Sequence, residues 1–114
     1  MRDPRERLRD IIDAVSRIER YAVRGRTAFE GDELIQVWTL HHLQLIGEAG
    51  VQLGREFHAA HPEVPWAQII AMRNVLVHEY FGVDVSQVWR TVERDLPGFN
   101  RAIESLLADL EEQG

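Results

Sequence analysis

The amino-acid sequence predicts an all-α, up-and-down bundle of four to five helices. Apolar residues recur at intervals of three and four almost throughout the chain, which is the spacing of amphipathic helices. No stretch alternates between apolar and polar residues in the manner of a β-strand. A length of 114 residues suits one core, so residues 1–114 are expected to form a single helical domain.

The first two helices are placed by their apolar residues and by residues suited to helix ends. The first is expected to stop near Gly25, because glycine is favoured just after the last turn of a helix. Its apolar positions are Leu8, Ile11, Ile12, Val15, Ile18 and Ala22. Asp32 is a predicted N-cap for a long second helix, since its carboxylate can accept hydrogen bonds from free backbone amides. This second helix is expected to run from Leu34 to about Phe57.

Prolines mark the boundaries of the remaining helices. A loop over residues 61–66 contains Pro65, which is well placed to open a third helix from about Trp66 to His78. The apolar positions of a fourth helix are Val88, Trp89, Val92 and Leu96. Pro97 either kinks this helix or starts a fifth one. The apolar positions after it are Phe99, Ile103, Leu106, Leu107 and Leu110.

The second predicted helix has two apolar faces. At about 100° per residue, an arc of roughly 120° is expected to face the core. It comprises Leu34, Ile35, Trp38, Leu45, Ile46, Ala49 and Leu53. A separate arc, from about 180° to 300° on the same wheel, comprises Val37, Leu40, Leu43 and Val51. Gly47 and Gly50 lie on or beside this arc and allow another backbone to approach closely. Either a neighbouring helix of the same chain covers this face, or a second copy of the chain does.

Composition excludes several classes of function. The chain has no cysteine, which excludes disulfides, thiolate metal sites and cysteine nucleophiles. No apolar run reaches the roughly 18–20 residues of a membrane span, and no signal peptide is evident, so a cytoplasmic location is expected. With 13 basic and 19 acidic side chains, the formal net charge is −6. Any contact with nucleic acid would therefore be local and built from a few arginines.

The most informative polar residues lie in the predicted third helix and just after it. On a helical wheel Arg73, Asn74 and His78 fall within about 140° of one another, and Tyr80 lies close to the direction of Arg73. Arginine is a permanent cation suited to phosphate, and histidine titrates near neutral pH. Together they can support metal-free phosphoryl chemistry on RNA, in which His78 moves a proton and Arg73 stabilises charge on phosphorus. The alternative is a surface arginine and a histidine that favours the negative end of the helix dipole.

Other polar residues are weaker candidates. His58 and His61 have the spacing of two metal ligands on one helix turn, but further ligands are missing, which favours a solvated helix end. No metal and no cofactor are therefore expected. His42 falls within the core arc, where a buried and hydrogen-bonded histidine is favoured over a ligand. Glu48 lies off that arc, which favours a structural hydrogen bond or salt bridge over catalysis. A run of arginines interleaved with acids favours a solvated face over a phosphate-tracking one: Arg2, Arg5, Arg7 and Arg9.

Segments along most of the chain resemble the HepT branch of the HEPN superfamily. These segments are Leu45-Ile46-Gly47-Glu48-Ala49, the loop from Pro62 to Trp66, the stretch from Ile69 to Phe81, Val83-Asp84, Val88-Trp89 and Asp95-Leu96-Pro97. The resemblance extends from the first helix to about residue 110, and residues 65–81 are its most specific part. This part contains the pattern Arg-x4-His-x-Tyr, formed by Arg73, His78 and Tyr80.

The resemblance implies an all-α homodimer that acts as a metal-independent endoribonuclease toxin. It implies that Arg73 and His78 are catalytic and that these residues of both protomers face one composite cleft, where RNA is the substrate. Asn74 adjoins them, and its spacing suggests that it orients His78 or a phosphate.

The resemblance also implies a partner and a form of regulation. In a type VII-like toxin–antitoxin system, a small nucleotidyltransferase of the MntA type acts as the antitoxin and transfers AMP to the tyrosine that corresponds to Tyr80. An AMP group there would place bulk and negative charge beside Arg73 and His78, which would oppose RNA binding.

Two other interpretations of the chain stay open. It could be a non-catalytic subunit that binds nucleotide or RNA as the partner of a minimal nucleotidyltransferase. It could also be a structural dimer in which the arginine and the histidine are inert.

Overall fold

The part of the chain that the structure describes forms seven α-helices and one short π-helix, without a strand. The structure is a computed structural model that describes the backbone of residues 3–78 and 84–113 and the side chains of residues 3–73 and 84–113. The elements in chain order are α1 (Pro4–Ala22), α2 (Arg26–Gly31), α3 (Glu33–Leu53), α4 (Arg55–Ala60), α5 (Trp66–His78), α6 (Val85–Arg90), a π-helix (Thr91–Asp95) and α7 (Leu96–Gln113). The predicted all-α bundle is confirmed.

Two predicted helix starts are confirmed by their hydrogen bonds. The Oδ1 atom of Asp32 accepts hydrogen bonds from the backbone amides of Leu34 at 2.9 Å and Ile35 at 3.3 Å. The carbonyl of Pro65 accepts a hydrogen bond from the amide of Ile69 at 3.2 Å, and α5 begins at the next residue, Trp66. The bounds of α5 are therefore those that the sequence predicts.

Two glycines divide the chain more finely than the apolar spacing predicts. Gly54 has a φ of 86° and Gly25 a φ of 93°, values in the left-handed region that costs glycine little. Gly54 ends α3 at Leu53, so the prediction that this helix extends to about Phe57 is wrong. The short helices α2 and α4 follow these glycines, and the apolar pattern does not predict them as separate elements.

A wide helical turn joins α6 to α7 immediately before Pro97. Residues Thr91–Asp95 are π-helical, and the amide of Leu96 donates a hydrogen bond to the carbonyl of Thr91, five residues earlier. Proline has no amide hydrogen and cannot make the usual bond to the carbonyl four residues back. The π-turn accommodates that missing bond, and α7 begins at Leu96. The helical backbone continues from α6 through this turn into α7, and Pro97 lies in the first turn of α7.

Helix α3 is central to the packing. It contacts α1 and α5, and α1 also contacts α7. The most deeply buried aliphatic side chains come from all four of these helices: Leu8, Ile11, Val15, Ile18, Leu43, Ile46, Ile69, Leu96 and Ile103. Burying an aliphatic side chain of this size contributes about 1.5–3 kcal/mol, so these contacts hold the bundle together. None of the helices in the described ranges is long and apolar enough to cross a membrane.

The buried side of α3 is rotated relative to the predicted one. Leu34 and Leu45 belong to the predicted core arc, yet they are 81% and 45% exposed, whereas Leu43 from the second arc is buried. The reason is that α3 lies between α1 and α5, so it buries the arc that spans both neighbours. What remains exposed is a row of large apolar side chains, here named the exposed α3 face: Leu34, Val37, Leu45 and Val51.

Candidate active site

Arg73 on α5 is paired with an acidic side chain of α3. Its Nε atom lies 2.7 Å from Oε1 of Glu48, and each of the two side chains keeps 38% of its surface exposed. The predicted salt bridge of Glu48 is confirmed, and its partner is the candidate catalytic arginine. An ion pair with this much exposure contributes less than about 1 kcal/mol to folding. Its main effect is therefore on where the guanidinium group of Arg73 lies.

The backbones of α3 and α5 come very close beside this ion pair. A Cβ atom placed on Gly47 would lie 2.5 Å from Cβ of Arg73 and 2.9 Å from its backbone nitrogen. A Cβ atom on Gly50, about one turn further, would lie 3.1 Å from Cγ2 of Ile69. The predicted close backbone approach is confirmed at Gly47, where α5 is the backbone that approaches, whereas at Gly50 the nearest atoms belong to the side chains of Ile69 and Ile70.

The remaining predicted site residues follow Arg73 along the chain. Asn74 and His78 lie within α5, although their side chains are outside the described part. Five residues of α-helix place the backbones of Arg73 and His78 about 140° apart around the axis and about 7.5 Å apart along it. Tyr80 lies outside the described residues. The structure therefore gives a direct environment for Arg73 alone among these four.

A cleft of about 630 Å³ lies between α1 and α3 and extends to Glu48. From α1 it is lined by two arginines and two aspartates: Arg7, Arg17, Asp10 and Asp13. The Nε atom of Arg17 is 2.9 Å from Oδ2 of Asp13. With Glu48 added, acidic groups outnumber arginines among the lining residues, so this cleft is poorly suited to holding an RNA backbone.

Two of the N-terminal arginines that the structure describes, Arg5 and Arg9, make ion pairs. The Nη2 atom of Arg5 is 2.7 Å from Oδ2 of Asp3, and the Nη2 atom of Arg9 is 3.4 Å from Oε1 of Glu111. Hydrogen bonds from Arg5 lower the pKa of Asp3 to about 2. These contacts favour the solvated-face interpretation of the run over phosphate tracking; Arg2 lies outside the described residues.

Histidines elsewhere in the bundle have structural contacts. His42 is buried, and its Nδ1 atom lies 2.7 Å from the carbonyl oxygen of Trp38, as predicted for a core histidine. The Nε2 atom of His58 lies 2.7 Å from the carbonyl oxygen of Gly50, and its ring stacks on Trp66. The prediction of a solvated helix end is therefore wrong for His58, because α4 folds back against α3 and α5. Within the described ranges, no three acidic or histidine side chains are grouped as metal ligands.

The contact that sequence reasoning misses is the partner of Glu48. The helical wheel favours a salt bridge for this residue without showing which cation forms it. One signal in the sequence points to the answer: Gly47 directly precedes Glu48, and a glycine in the middle of a long helix marks where another backbone comes close. The position of Arg73 on that neighbouring helix then supplies the cation.

Comparisons with known proteins identify the family of the chain. The family model described as "HepT-like: Ribonuclease HepT-like" matches residues 11–106. "Probable ribonuclease HepT" of Thermococcus cleftensis is 36% identical over 108 residues, which cover 92% of this chain and 96% of that protein. "Putative RNase TTE0752" of Caldanaerobacter subterraneus subsp. tengcongensis is 33% identical over 108 residues, which cover 94% and 96%. No solved structure matches the chain. With a family match over most of its length, the chain belongs to the HepT-like ribonuclease family.

Proposed function

We propose that this chain is a metal-independent endoribonuclease of the toxin type, in which Arg73 and His78 cleave RNA. The observation that carries the proposal is the place of Arg73. It is a half-exposed guanidinium held at the contact between α3 and α5, five residues before a histidine on the same helix. Membership in a ribonuclease family supports RNA as the substrate.

The proposed reaction is an attack of the ribose 2′-oxygen on the adjacent phosphorus. A bond forms between the 2′-oxygen and phosphorus while the bond from phosphorus to the 5′-oxygen breaks, which leaves a 2′,3′-cyclic phosphate and a 5′-hydroxyl. The 2′-hydroxyl loses a proton and the departing 5′-oxygen gains one, and His78 acts as the base or the acid in one of these transfers. Arg73 stabilises the negative charge that builds on the phosphate oxygens. Asn74 orients His78 or the phosphate.

We further propose that the active unit is a homodimer joined through the exposed α3 face. Large apolar side chains in a row on one helix face favour burial against a second apolar surface. In a two-fold dimer the same face meets its own copy. Glu48 belongs to this face, because Leu45 and Val51 lie three residues before and after it. Dimerisation there would bring the two Glu48–Arg73 pairs to one shared cleft.

The proposed regulation is the transfer of AMP to Tyr80 by a nucleotidyltransferase antitoxin of the MntA type in the cytoplasm. The phenol oxygen would bond to the α-phosphorus of ATP, pyrophosphate would leave, and the phenol proton would pass to solvent. The adduct would place a negative phosphodiester two residues from His78, where it opposes a polyanionic substrate. With a nucleotidyltransferase of the MntA type, ATP and Mg²⁺, we expect the intact mass to rise by one AMP group, and Tyr80→Phe to prevent the rise. An unchanged wild-type mass contradicts this regulation.

Incubation with total RNA in EDTA tests the proposed activity. Intact-mass measurement first confirms that Tyr80 carries no adduct. We expect wild-type protein to leave 2′,3′-cyclic phosphate ends and His78→Ala and Arg73→Ala to be slower by about 100-fold or more. Cleavage that requires added Mg²⁺ contradicts metal independence, and equal cleavage by His78→Ala contradicts its catalytic role. Intact RNA in every sample of folded protein favours the non-catalytic binding subunit, which predicts saturable binding of mononucleotides.

A further inference from the structure

We propose that Glu48 is a positioning residue that orients the Arg73 guanidinium toward the scissile phosphate. The inference rests on the proposed ribonuclease function, because it assigns a role within that reaction. The observation behind it is the 2.7 Å approach of Oε1 of Glu48 to Nε of Arg73, between two different helices.

Two consecutive residues of α3 restrain Arg73 at different points. Gly47 lets the backbone of Arg73 lie against α3, since a Cβ atom there would be 2.5 Å from Cβ of Arg73. Glu48 then restrains the other end of the same side chain at Nε. An arginine side chain is long and flexible, but its guanidinium is a rigid planar fork. Contacts at both its base and its Nε atom therefore define where that fork points.

The ion pair leaves enough of Arg73 for a phosphate. A guanidinium has five N–H donors, and a carboxylate that binds it bidentately uses two of them. At least three donors remain, and 38% of the side-chain surface is open to solvent. The charge of Glu48 also offsets that of Arg73, which weakens attraction for the phosphate of bound substrate. Glu48 therefore orients Arg73 but weakens the attraction of Arg73 for the phosphate of the bound substrate. Loss of Glu48 should accordingly change kcat more than KM.

A second ion pair provides a matched control. In the pair between Arg26 and Glu30, Nε lies 2.8 Å from Oε1. The Glu30 side chain is 40% exposed, close to the value for Glu48, and Arg26 is more exposed than Arg73. This pair joins the same two types of atom, but it spans one turn within α2 and lies away from the contact between α3 and α5. Glu30→Ala therefore removes an equivalent ion pair without touching Arg73.

The test measures kcat and KM for cleavage of a short RNA, with melting temperature as a check on folding. We expect Glu48→Ala to lower kcat by about tenfold or more, because a misplaced catalytic group costs rate steeply, while KM stays the same or falls. Glu48→Gln keeps the length and an acceptor oxygen without the charge, so it should recover part of kcat. Glu30→Ala should keep both wild-type constants.

Four results would overturn the inference. One is a kcat of Glu48→Ala within about twofold of wild type, in a protein whose His78→Ala variant is inactive; this contradicts the positioning role and leaves the ribonuclease function standing. Another is a rise in KM at unchanged kcat. If Glu48→Ala does not fold, Glu48→Gln decides, and wild-type kinetics for it contradict the role. Intact RNA with folded wild-type protein contradicts the proposed function itself and the inference with it.

Discussion

Position 47 tolerates no side chain while α5 stays in place. In Gly47→Ala, the new methyl group would overlap Cβ of Arg73, at 2.5 Å, and its backbone nitrogen, at 2.9 Å. Because those atoms are not the flexible end of a side chain, α5 must move away from α3. We expect a loss of about 1–3 kcal/mol in the free energy of unfolding, measured by urea denaturation, together with slower RNA cleavage.

Gly31 supplies the control for that substitution. A Cβ atom there would meet nothing within 4 Å, and alanine is the better helix former by up to about 1 kcal/mol. Gly31→Ala should therefore match or exceed the wild type in stability. If Gly47→Ala were as stable as Gly31→Ala, the close contact between α3 and α5 would be wrong.

Single residues were predicted well where one local rule applied. Asp32 caps a helix because its carboxylate reaches the free amides of the first turn. The environment of His42 follows from the apolar residues around it on the helical wheel. By contrast, the contact between Glu48 and Arg73 joins residues 25 positions apart, and a wheel drawn for one helix contains no information on its neighbour. The same limit explains the incorrect prediction for His58, whose surroundings depend on how α4 folds back.

At the scale of elements, the start of α1 makes the free energy of unfolding depend on pH. The Arg5 side chain donates hydrogen bonds to the Asp3 carboxylate, and with the bond from the Arg5 amide it lowers the pKa of Asp3 from 3.8 to about 2. A carboxyl whose pKa is lower in the folded state stabilises the fold above its unfolded pKa, and this contribution is lost as pH falls toward the folded pKa. We expect the Asp3 carboxylate to stabilise the fold at pH 5 and to lose this stabilising effect between about pH 4 and pH 2.

Asp3→Asn isolates this effect, because asparagine also caps helices but carries no charge. The difference in unfolding free energy between wild type and Asp3→Asn should be present at pH 5 and disappear near pH 2. Since Asp3 is exposed, added salt should reduce the difference. A difference that is the same at both pH values would show that the carboxylate charge does not contribute.

The elements themselves were predicted to different degrees. The bounds of α5 and the position of the cap of α3 follow from Pro65 and Asp32, which act locally. Which side of α3 is buried could not be predicted, because both α1 and α5 pack on it and together bury an arc that includes Leu43. For the π-turn before Pro97, the sequence predicts only that the regular helix is interrupted. A kink, a break and a widened turn can each accommodate the hydrogen bond that proline cannot make.

At the scale of the whole molecule, the exposed α3 face predicts the oligomeric state. We expect the wild type to have twice the mass of one chain by light scattering. Val37→Asp combined with Leu45→Asp places two charges on this face and should yield a monomer with unchanged helicity by circular dichroism. Loss of RNA cleavage in that monomer is expected as well, because the proposed site is shared between protomers.

Val23→Asp is the matched control for the dimer. Val23 is 82% exposed and follows the end of α1, outside the exposed α3 face. Its substitution should leave the mass and the cleavage rate unchanged. A wild-type monomer, or a double variant that keeps the dimer mass, would contradict dimerisation through α3.

The all-α class could be predicted for the whole molecule because apolar periodicity is a property of every segment. The arrangement of the helices could not, since the order α5, α3, α1 and α7 across the bundle depends on contacts between distant segments. Only half of the exposed α3 face was predicted as a second apolar face: Val37 and Val51 belong to the predicted second arc, whereas Leu34 and Leu45 were expected to face the core. The sequence left open whether a helix of the same chain or a second copy covers the second arc. Val37 and Val51 stay exposed after α1 and α5 have packed, so these two helices do not cover them.

The pairing of Arg73 with Glu48 has a consequence for how the protein meets its substrate. The ion pair has no net charge, and the chain as a whole carries −6, so no strong positive field extends into solution to attract a polyanion. Encounter with RNA should therefore be slow compared with basic nucleases. Its rate should rise between low and physiological ionic strength, because salt screens the repulsion between the acidic chain and the polyanion. Recognition would begin only at contact, where a correctly placed phosphate can compete for the guanidinium.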